Sequence, residues 1–215
     1  MRGQGSARVA ALRAGGGSRT RLGRGPRPGG RLGVPAQLEL SAVSTRVGLV
    51  GVLSSHDAEG REVAWWVGLG YADRDALEAD AAAFARSAGS ALRAARPARA
   101  LAARLKPFAD GRPCDLGDVP IGWEGTTPFQ RAVIREARKL GWGETATYGE
   151  LAARAGFPGA ARAVGQVMSH NRVPLIVPCH RVVGHGGRLG GFSAPQGILL
   201  KERLLRQERR GADAE

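Results

Sequence analysis

The apolar positions of residues 36–72 come in short blocks rather than in a helical stripe. Val47-Gly-Leu-Val-Gly-Val-Leu53 and Glu62-Val-Ala-Trp-Trp-Val-Gly-Leu69 are apolar runs, with the turn-like His56-Asp-Ala-Glu-Gly60 between them. Such runs, rich in β-branched and aromatic residues and bounded by polar and glycine positions, predict strands. From 75 to 95 the chain turns alanine-rich and predicts a helix that stops near Pro97. A second short helix fits 98–105. The stretch from Asp110-Gly-Arg-Pro113 to Glu124-Gly125 reads as a linker.

Beyond it the period becomes helical. Thr127 is placed to N-cap a helix with Pro128 at its first position; Phe129, Val133, Ala137 and Leu140 recur at helical spacing, and Gly141 ends the run. Thr147-Tyr-Gly-Glu150 matches a capping box and predicts a short helix to Ala155. Gly156-Phe-Pro-Gly159 is a turn, and 160–169 predicts the next helix. Helix, tight turn, helix is the layout of a helix-turn-helix, and equally of two packed helices with no nucleic-acid role. The second helix offers Ala160, Ala161, Ala163 and Gly165, with Arg162 as the one long charge among small residues. That surface suits close approach to a backbone better than base reading in a major groove. Glycines crowd 184–191, which indicates a turn near a ligand or backbone, or a plain hairpin. A last amphipathic helix is predicted over 198–207. Leu200, Leu204 and Leu205 form its apolar face, Lys201 and Arg203 lie elsewhere, and Glu208 stands at its end.

At 215 residues the chain has room for one or two domains. The formal charge of +13 is uneven, for residues 1–35 hold eight arginines and no acid. The remainder carries about +5, a moderately basic balance that favours a polyanion, nucleic acid being the usual one. Residues 1–35 read as a disordered basic arm, as a translation start placed too far upstream, or as an organelle transit peptide, the glycines speaking against the last. No stretch reaches the roughly 18 apolar residues of a membrane span, and no apolar run follows the basic start as in a signal peptide. Two cysteines, Cys114 and Cys179, form no CxxC and no disulfide framework, so a reducing compartment is expected. His56, His170, His180 and His185 show no metal-ligand spacing with them, and neither zinc nor a cofactor is expected.

The densest chemistry is Pro178-Cys179-His180-Arg181, set in the apolar run Ile176 to Val183. A thiol is a weak nucleophile until a base or a positive charge makes it a thiolate. A cysteine beside a histidine thus suggests a reactive sulfur. On the tetrad alone, a buried core cysteine fits as well.

These pieces in their order resemble the O6-alkylguanine-DNA alkyltransferase family, also called methylated-DNA–protein-cysteine methyltransferases. The resemblance covers about 119–208 and rests on Thr127-Pro-Phe-Gln-Arg-Ala-Val133, Gly143-Glu-Thr-Ala-Thr-Tyr148-Gly-Glu-Leu-Ala152, Ala161-Arg162-Ala-Val-Gly165, Asn171, Pro178-Cys-His-Arg-Val-Val183 and Leu189-Gly-Gly-Phe-Ser-Ala-Pro195. Over 36–110 it is weak and positional. The resemblance implies an α+β protein. A small N-terminal β-ribbon and helix domain, ribonuclease H-like, spans 36–118 with its linker. A helical, winged-helix-like domain with the helix-turn-helix spans 119–215.

It further implies a single-turnover methyltransferase. Cys179 takes the alkyl group from O6-alkylguanine in double-stranded DNA and keeps it; O4-alkylthymine is a further possible substrate. His180 is then the base acting through a water, and Glu208 orients it. Tyr148 donates to the departing guanine, and Asn171 bonds the loop before Cys179. Ala161, Arg162, Ala163 and Gly165 are expected on DNA, in the minor groove, with Arg162 filling the gap left by the flipped base. Tyr148, Val182, Gly190 and Ser193 are expected to line the pocket, the backbone near Val182 and Ser193 reading the base. A monomer is expected, with no metal, cofactor or membrane, in the cytoplasm with access to the nucleoid or nucleus. The alternatives are a non-catalytic lesion-binding relative, against which Cys179 speaks; a hydrolytic cysteine enzyme, which has no use for Arg162 on a helix-turn-helix; and a transcription factor. Gln196 stands where many relatives carry glycine, Trp142 replaces a more usual proline-aromatic pair, and His185 sits in the glycine-rich turn. None of the three touches the expected triad.

Overall fold

Three consecutive strands, β1 (Gln37–Thr45), β2 (Gly48–His56) and β3 (Glu62–Tyr71), form an antiparallel meander in the computed structural model. The structure describes residues 33–94 and 100–212, so nearly all of the arginine-rich segment 1–35 lies outside the described residues. A fourth strand, β4 (Ala91–Ala94), pairs parallel with β1 and gives the order β3-β2-β1-β4. Alternation along β2 divides the sheet's two faces. Val50 and Val52 join the larger core, whereas Leu53 joins a smaller one on the side of α1 (Arg74–Ala88). Gly51 and Gly68 lie under Leu77 of that helix. A Cβ at either would come within 2.8 and 2.6 Å of the leucine side chain, so the glycines let the helix sit close.

The larger core is continuous from the sheet through α2 (Ala100–Ala109) into the C-terminal helices. Leu101, Leu105 and Phe108 of α2 belong to it. So do Val133 of α3 (Pro128–Ala137), Leu151 of α4 (Tyr148–Arg154), Val164 of α5 (Ala161–Ser169), and Leu200 and Leu204 of α6 (Ile198–Ala212). Each such leucine, fully withdrawn from water, is worth about 1.5–3 kcal/mol of burial. A two-stranded parallel pair, β5 (Ala146–Thr147) and β6 (Val182–Val183), stitches the start of α4 to the segment that follows Cys179. Both expected caps form. Thr127 accepts from the Gln130 amide and Gln130 returns to the Thr127 amide; Thr147 and Glu150 do the same. The fold is α+β, as the resemblance implied.

Four boundaries differ from the periodicity. The predicted helix 75–95 ends at Ala88, because Gly89 takes a left-handed φ of 74° and caps it. The alanines beyond pair with β1 instead, so strand pairing overrides helix propensity there. The helix predicted for 98–105 runs on through Pro107 to Ala109. The helix from Pro128 stops at Ala137, capped by Arg138, short of Leu140. Finally, α6 continues to Ala212, which puts Glu208 inside the helix rather than at its end. Lys201, placed off the apolar face by the sequence reading, is 1% exposed.

Candidate active site

Cys179 begins a 3-10 turn, Cys179–Arg181, wedged between the loop after α5 and strand β6. Asn171 shapes that loop. Its Oδ1 accepts from the Val173 amide at 3.1 Å, while Nδ2 donates to Val177 O at 2.9 Å and to Cys179 Sγ at 3.1 Å. Leu175, buried within the loop, has a φ of 72°, a left-handed conformation that costs a side-chain-bearing residue about 1–3 kcal/mol. The loop is thus held where it presents the sulfur against its own preference. Cys179 itself is 6% exposed.

His180 and Arg181 converge on Glu208 from the same turn. His180 Nε2 lies 2.8 Å from Glu208 Oε1. The Arg181 guanidinium reaches both carboxylate oxygens at 3.0–3.1 Å and also donates to Leu140 O at 2.6 Å. The Gly143 amide adds a bond to Oε2 at 3.1 Å. All three side chains are buried. Phe108 from α2 closes the wall, edge-on to the His180 ring at 5.7 Å, with the Arg181 guanidinium 5.3 Å from its centroid. Trp142 stacks edge-on against the same phenylalanine. The departure at Trp142 therefore packs behind the histidine–glutamate pair without touching it.

Charge follows from this burial. Burial pushes the Glu208 carboxyl up, but the bonds from His180 and Arg181 outweigh it and hold the group below the ordinary carboxylate range. Burial pushes His180 down, so the ring is neutral. A neutral ring that donates Nε2–H to a carboxylate carries its lone pair on Nδ1. Nδ1 is buried and has no partner among the described residues. Burial raises the Cys179 thiol, opposed by the Asn171 bond and by the charge on Lys201. The resting sulfur is a thiol and needs a base.

Lys201 and Arg181 are the residues that the sequence reading left without a role. Lys201 Nζ donates to Val182 O at 2.7 Å and lies 5.9 Å from the centre of the Tyr148 ring. Burial lowers its pKa, and Cys179 opposes the shift. The signal was present: Leu200, Lys201, Leu204, Leu205 and Glu208 share one stripe of α6, so a lysine on that stripe must be buried with the leucines.

Tyr148, the first residue of α4, is brought beside Cys179 by the β5–β6 pair. Burial and the neighbouring sulfur both raise its pKa, so the phenol keeps its proton. A Cβ at Gly190 would collide with the Tyr148 hydroxyl, which makes glycine there a requirement of close approach. Ser193 Oγ donates to Ser169 O at 2.6 Å and ties the glycine-rich loop to the end of α5. Cys179, His180, Glu208, Asn171, Tyr148, Val182 and Gly190 thus gather at one place. Ala161, Arg162, Ala163 and Gly165 lie apart from it on α5; Arg162 and Ala163 are exposed, and the space over Gly165 is open. Among the described residues no group of three or more histidine, cysteine or acidic side chains is arranged to hold a metal. No helix among them is long and apolar enough to cross a membrane.

Residues 128–210 match the family model described as 6-O-methylguanine DNA methyltransferase, DNA binding domain. A methylated-DNA–protein-cysteine methyltransferase of Mycolicibacterium paratuberculosis is 44% identical over 97 residues, 45% of this chain and 57% of the relative. One of Salmonella typhimurium is 49% identical over 84 residues, 39% of this chain and 48% of the relative. The chain therefore spans about half the length of these curated relatives in the matched region. Among solved structures, Mycobacterium tuberculosis O6-methylguanine methyltransferase superposes with a TM-score of 0.63 at 26% identity, covering 83% of this chain and 97% of that one. The M. tuberculosis OGT structure in complex with DNA gives 0.59 at 26% identity, covering 80% and 94%. Through residues 128–210 and the fold that carries them, the chain is similar to the O6-methylguanine DNA methyltransferases.

Proposed function

We propose that this protein repairs DNA by moving the alkyl group of O6-alkylguanine to Cys179, once per molecule. The observation that carries the reading is His180. Its Nε2–H is fixed on Glu208 and its Nδ1 lone pair is buried without a partner, in the residue that follows the cysteine. In this reading Nδ1 takes the thiol proton, through a water. The sulfur attacks the alkyl carbon in line, the carbon–O6 bond breaks, and its electron pair leaves with guanine. The proton given up by the thiol balances the one that the guanine regains. Tyr148, kept protonated, donates to the departing base, and loop amides near Ser193 face O6 in the manner of an oxyanion site. The Val182 carbonyl, already bonded by Lys201, faces the exocyclic amine. The partner is duplex DNA, met in the minor groove by the small-residue face of α5, and the protein acts as a monomer without metal or cofactor. The N-terminal sheet and its helices, which share one core with the C-terminal helices, support the DNA-binding half.

Intact mass after incubation with excess duplex carrying O6-methylguanine is expected to rise by one methyl-for-hydrogen exchange and then stop. Continued turnover would point to hydrolysis, and no mass change to a lesion-binding protein. A second outcome separates flipping from chemistry. Arg162→Ala is expected to slow transfer from the duplex by about tenfold or more, since extruding a base costs a few kcal/mol that a stacked guanidinium offsets. Transfer from the free base O6-benzylguanine, which needs no extrusion, is expected to change far less. Equal slowing of both in single-turnover assays would remove Arg162 from that role.

A further inference from the structure

We infer that Gln196 is a specificity-determining positioning residue, pinning the loop before α6 to the N-terminal sheet so that the sheet limits the size of the group transferred. The inference rests on the alkyltransferase reading. Beyond Arg188 the loop has no regular structure. Among the described residues, two of its side chains hydrogen-bond to the rest of the protein, Ser193 to the end of α5 and Gln196 to the sheet, while Phe192 and Ala194 pack against the larger core. Gln196 Nε2 spends both its hydrogens, on Val47 O at 3.0 Å and Gly70 O at 2.7 Å. Gly70, at a φ of +78°, leaves the room, because a Cβ there would lie 3.0 Å from Nε2 and 2.7 Å from Leu200 Cδ2.

The receiving end is firm. In the β1–β2 turn the Arg46 amide donates to Asp110 Oδ1 at 2.8 Å, Lys106 Nζ donates to Ser44 O at 3.0 Å, and Arg203 donates to Arg46 O. Val47 itself is 1% exposed. The pin therefore joins a fixed turn to a loop that carries Gly190 against the Tyr148 hydroxyl and Ser193 three residues before Gln196. A fixed loop holds the pocket wall on the alkyl side at one distance from Cys179. Methyl fits at that distance, and a larger group must push the wall back.

Gln196→Ala removes both donors. Gln196→Glu keeps the shape but turns an acceptor toward two carbonyls, so it breaks the pin without removing bulk. Losing two neutral hydrogen bonds is worth roughly tenfold in the population of the closed loop. Single-turnover rates on duplexes carrying O6-methylguanine or O6-benzylguanine are to be measured for both variants. The benzyl-to-methyl ratio is expected to rise about tenfold in each, while backbone exchange over 190–197, followed by mass spectrometry, speeds up and Tm stays near that of the wild type. A wild-type ratio in Gln196→Glu would assign any effect of the alanine variant to lost bulk and overturn the hydrogen-bond pin. Faster exchange with unchanged ratios would overturn the selectivity role. If the wild type transfers no alkyl group at all, the alkyltransferase reading has failed and selectivity falls with it, whereas exchange still decides whether Gln196 pins the loop.

Discussion

Cys179→Ala is expected to abolish alkyl transfer while leaving affinity for duplex DNA within about twofold. The loss is complete because no other group can take the sulfur's place. The second cysteine, Cys114, is turned to the carbonyls of Arg104 and Asp115 at 3.6 and 3.7 Å, in the segment after α2. Binding survives because the proposed DNA face presents Arg162 and Ala163 exposed on α5, whereas the sulfur is buried. The fold also tolerates the change: Asn171 keeps its bonds to Val177 O and to the Val173 amide when Sγ is gone. Intact mass and tryptic mapping after exposure to O6-methylguanine duplex read the first half, and fluorescence anisotropy with the same duplex reads the second. Methyl found on Cys114, or a variant that still transfers, would end the assignment. A large loss of DNA affinity would mean that the sulfur helps to hold the flipped base before reaction.

What the sequence made legible was local. Thr127 and Thr147 announce their helices because a capping box is written in four residues, and both close as expected. The cysteine tetrad and Asn171 are likewise short-range signals, and they meet at 3.1 Å. What stayed hidden needs the third dimension. The alanines at 91 and 94 have helix propensity, yet the vacant edge of β1 takes them as a strand once Gly89 has broken the helix. Lys201 carries a charge, and a count of polar positions sends it outward. Only the company it keeps, leucines on the same stripe and a β6 carbonyl that accepts from Nζ, makes its burial tolerable. Phe108 belongs to a helix far from the tetrad in sequence, and nothing in its own neighbourhood shows that it forms the wall behind His180. The same holds for Gln196, whose partners lie 149 and 126 residues away.

Replacing Glu208 is expected to cost both stability and rate, by separate routes. The carboxylate is 1% exposed and accepts from His180, Arg181 and the Gly143 amide. Glu208→Ala leaves a buried guanidinium with Leu140 O as its remaining bond, and breaking such a pair from one side costs about 3–5 kcal/mol. For a chain of this size that is a fall in Tm of roughly 10 °C or more. Glu208→Gln keeps the volume but can turn its amide toward Nε2, which would move the ring proton to Nδ1 and take away the lone pair proposed as the base. Single-turnover transfer is therefore expected to fall by roughly a hundredfold or more in both variants, on duplex and free base alike. Acid reports the linkage. Glu208 is held below its ordinary value in the fold, so the stability it supplies is complete above about pH 4.3 and is lost as pH falls through the folded-state value. His180, buried neutral, acts in the same direction: below about pH 6.5 the unfolded chain binds a proton that the folded ring refuses. Wild-type stability should thus decline from about pH 6.5 downward, while the gap to Glu208→Ala stays open near neutrality and narrows below about pH 4.3. Calorimetry across that range measures both. Equal Tm values for wild type and Glu208→Ala at neutral pH would remove Glu208 as the anchor of Arg181, and an unchanged transfer rate would remove it as the residue that sets the His180 proton.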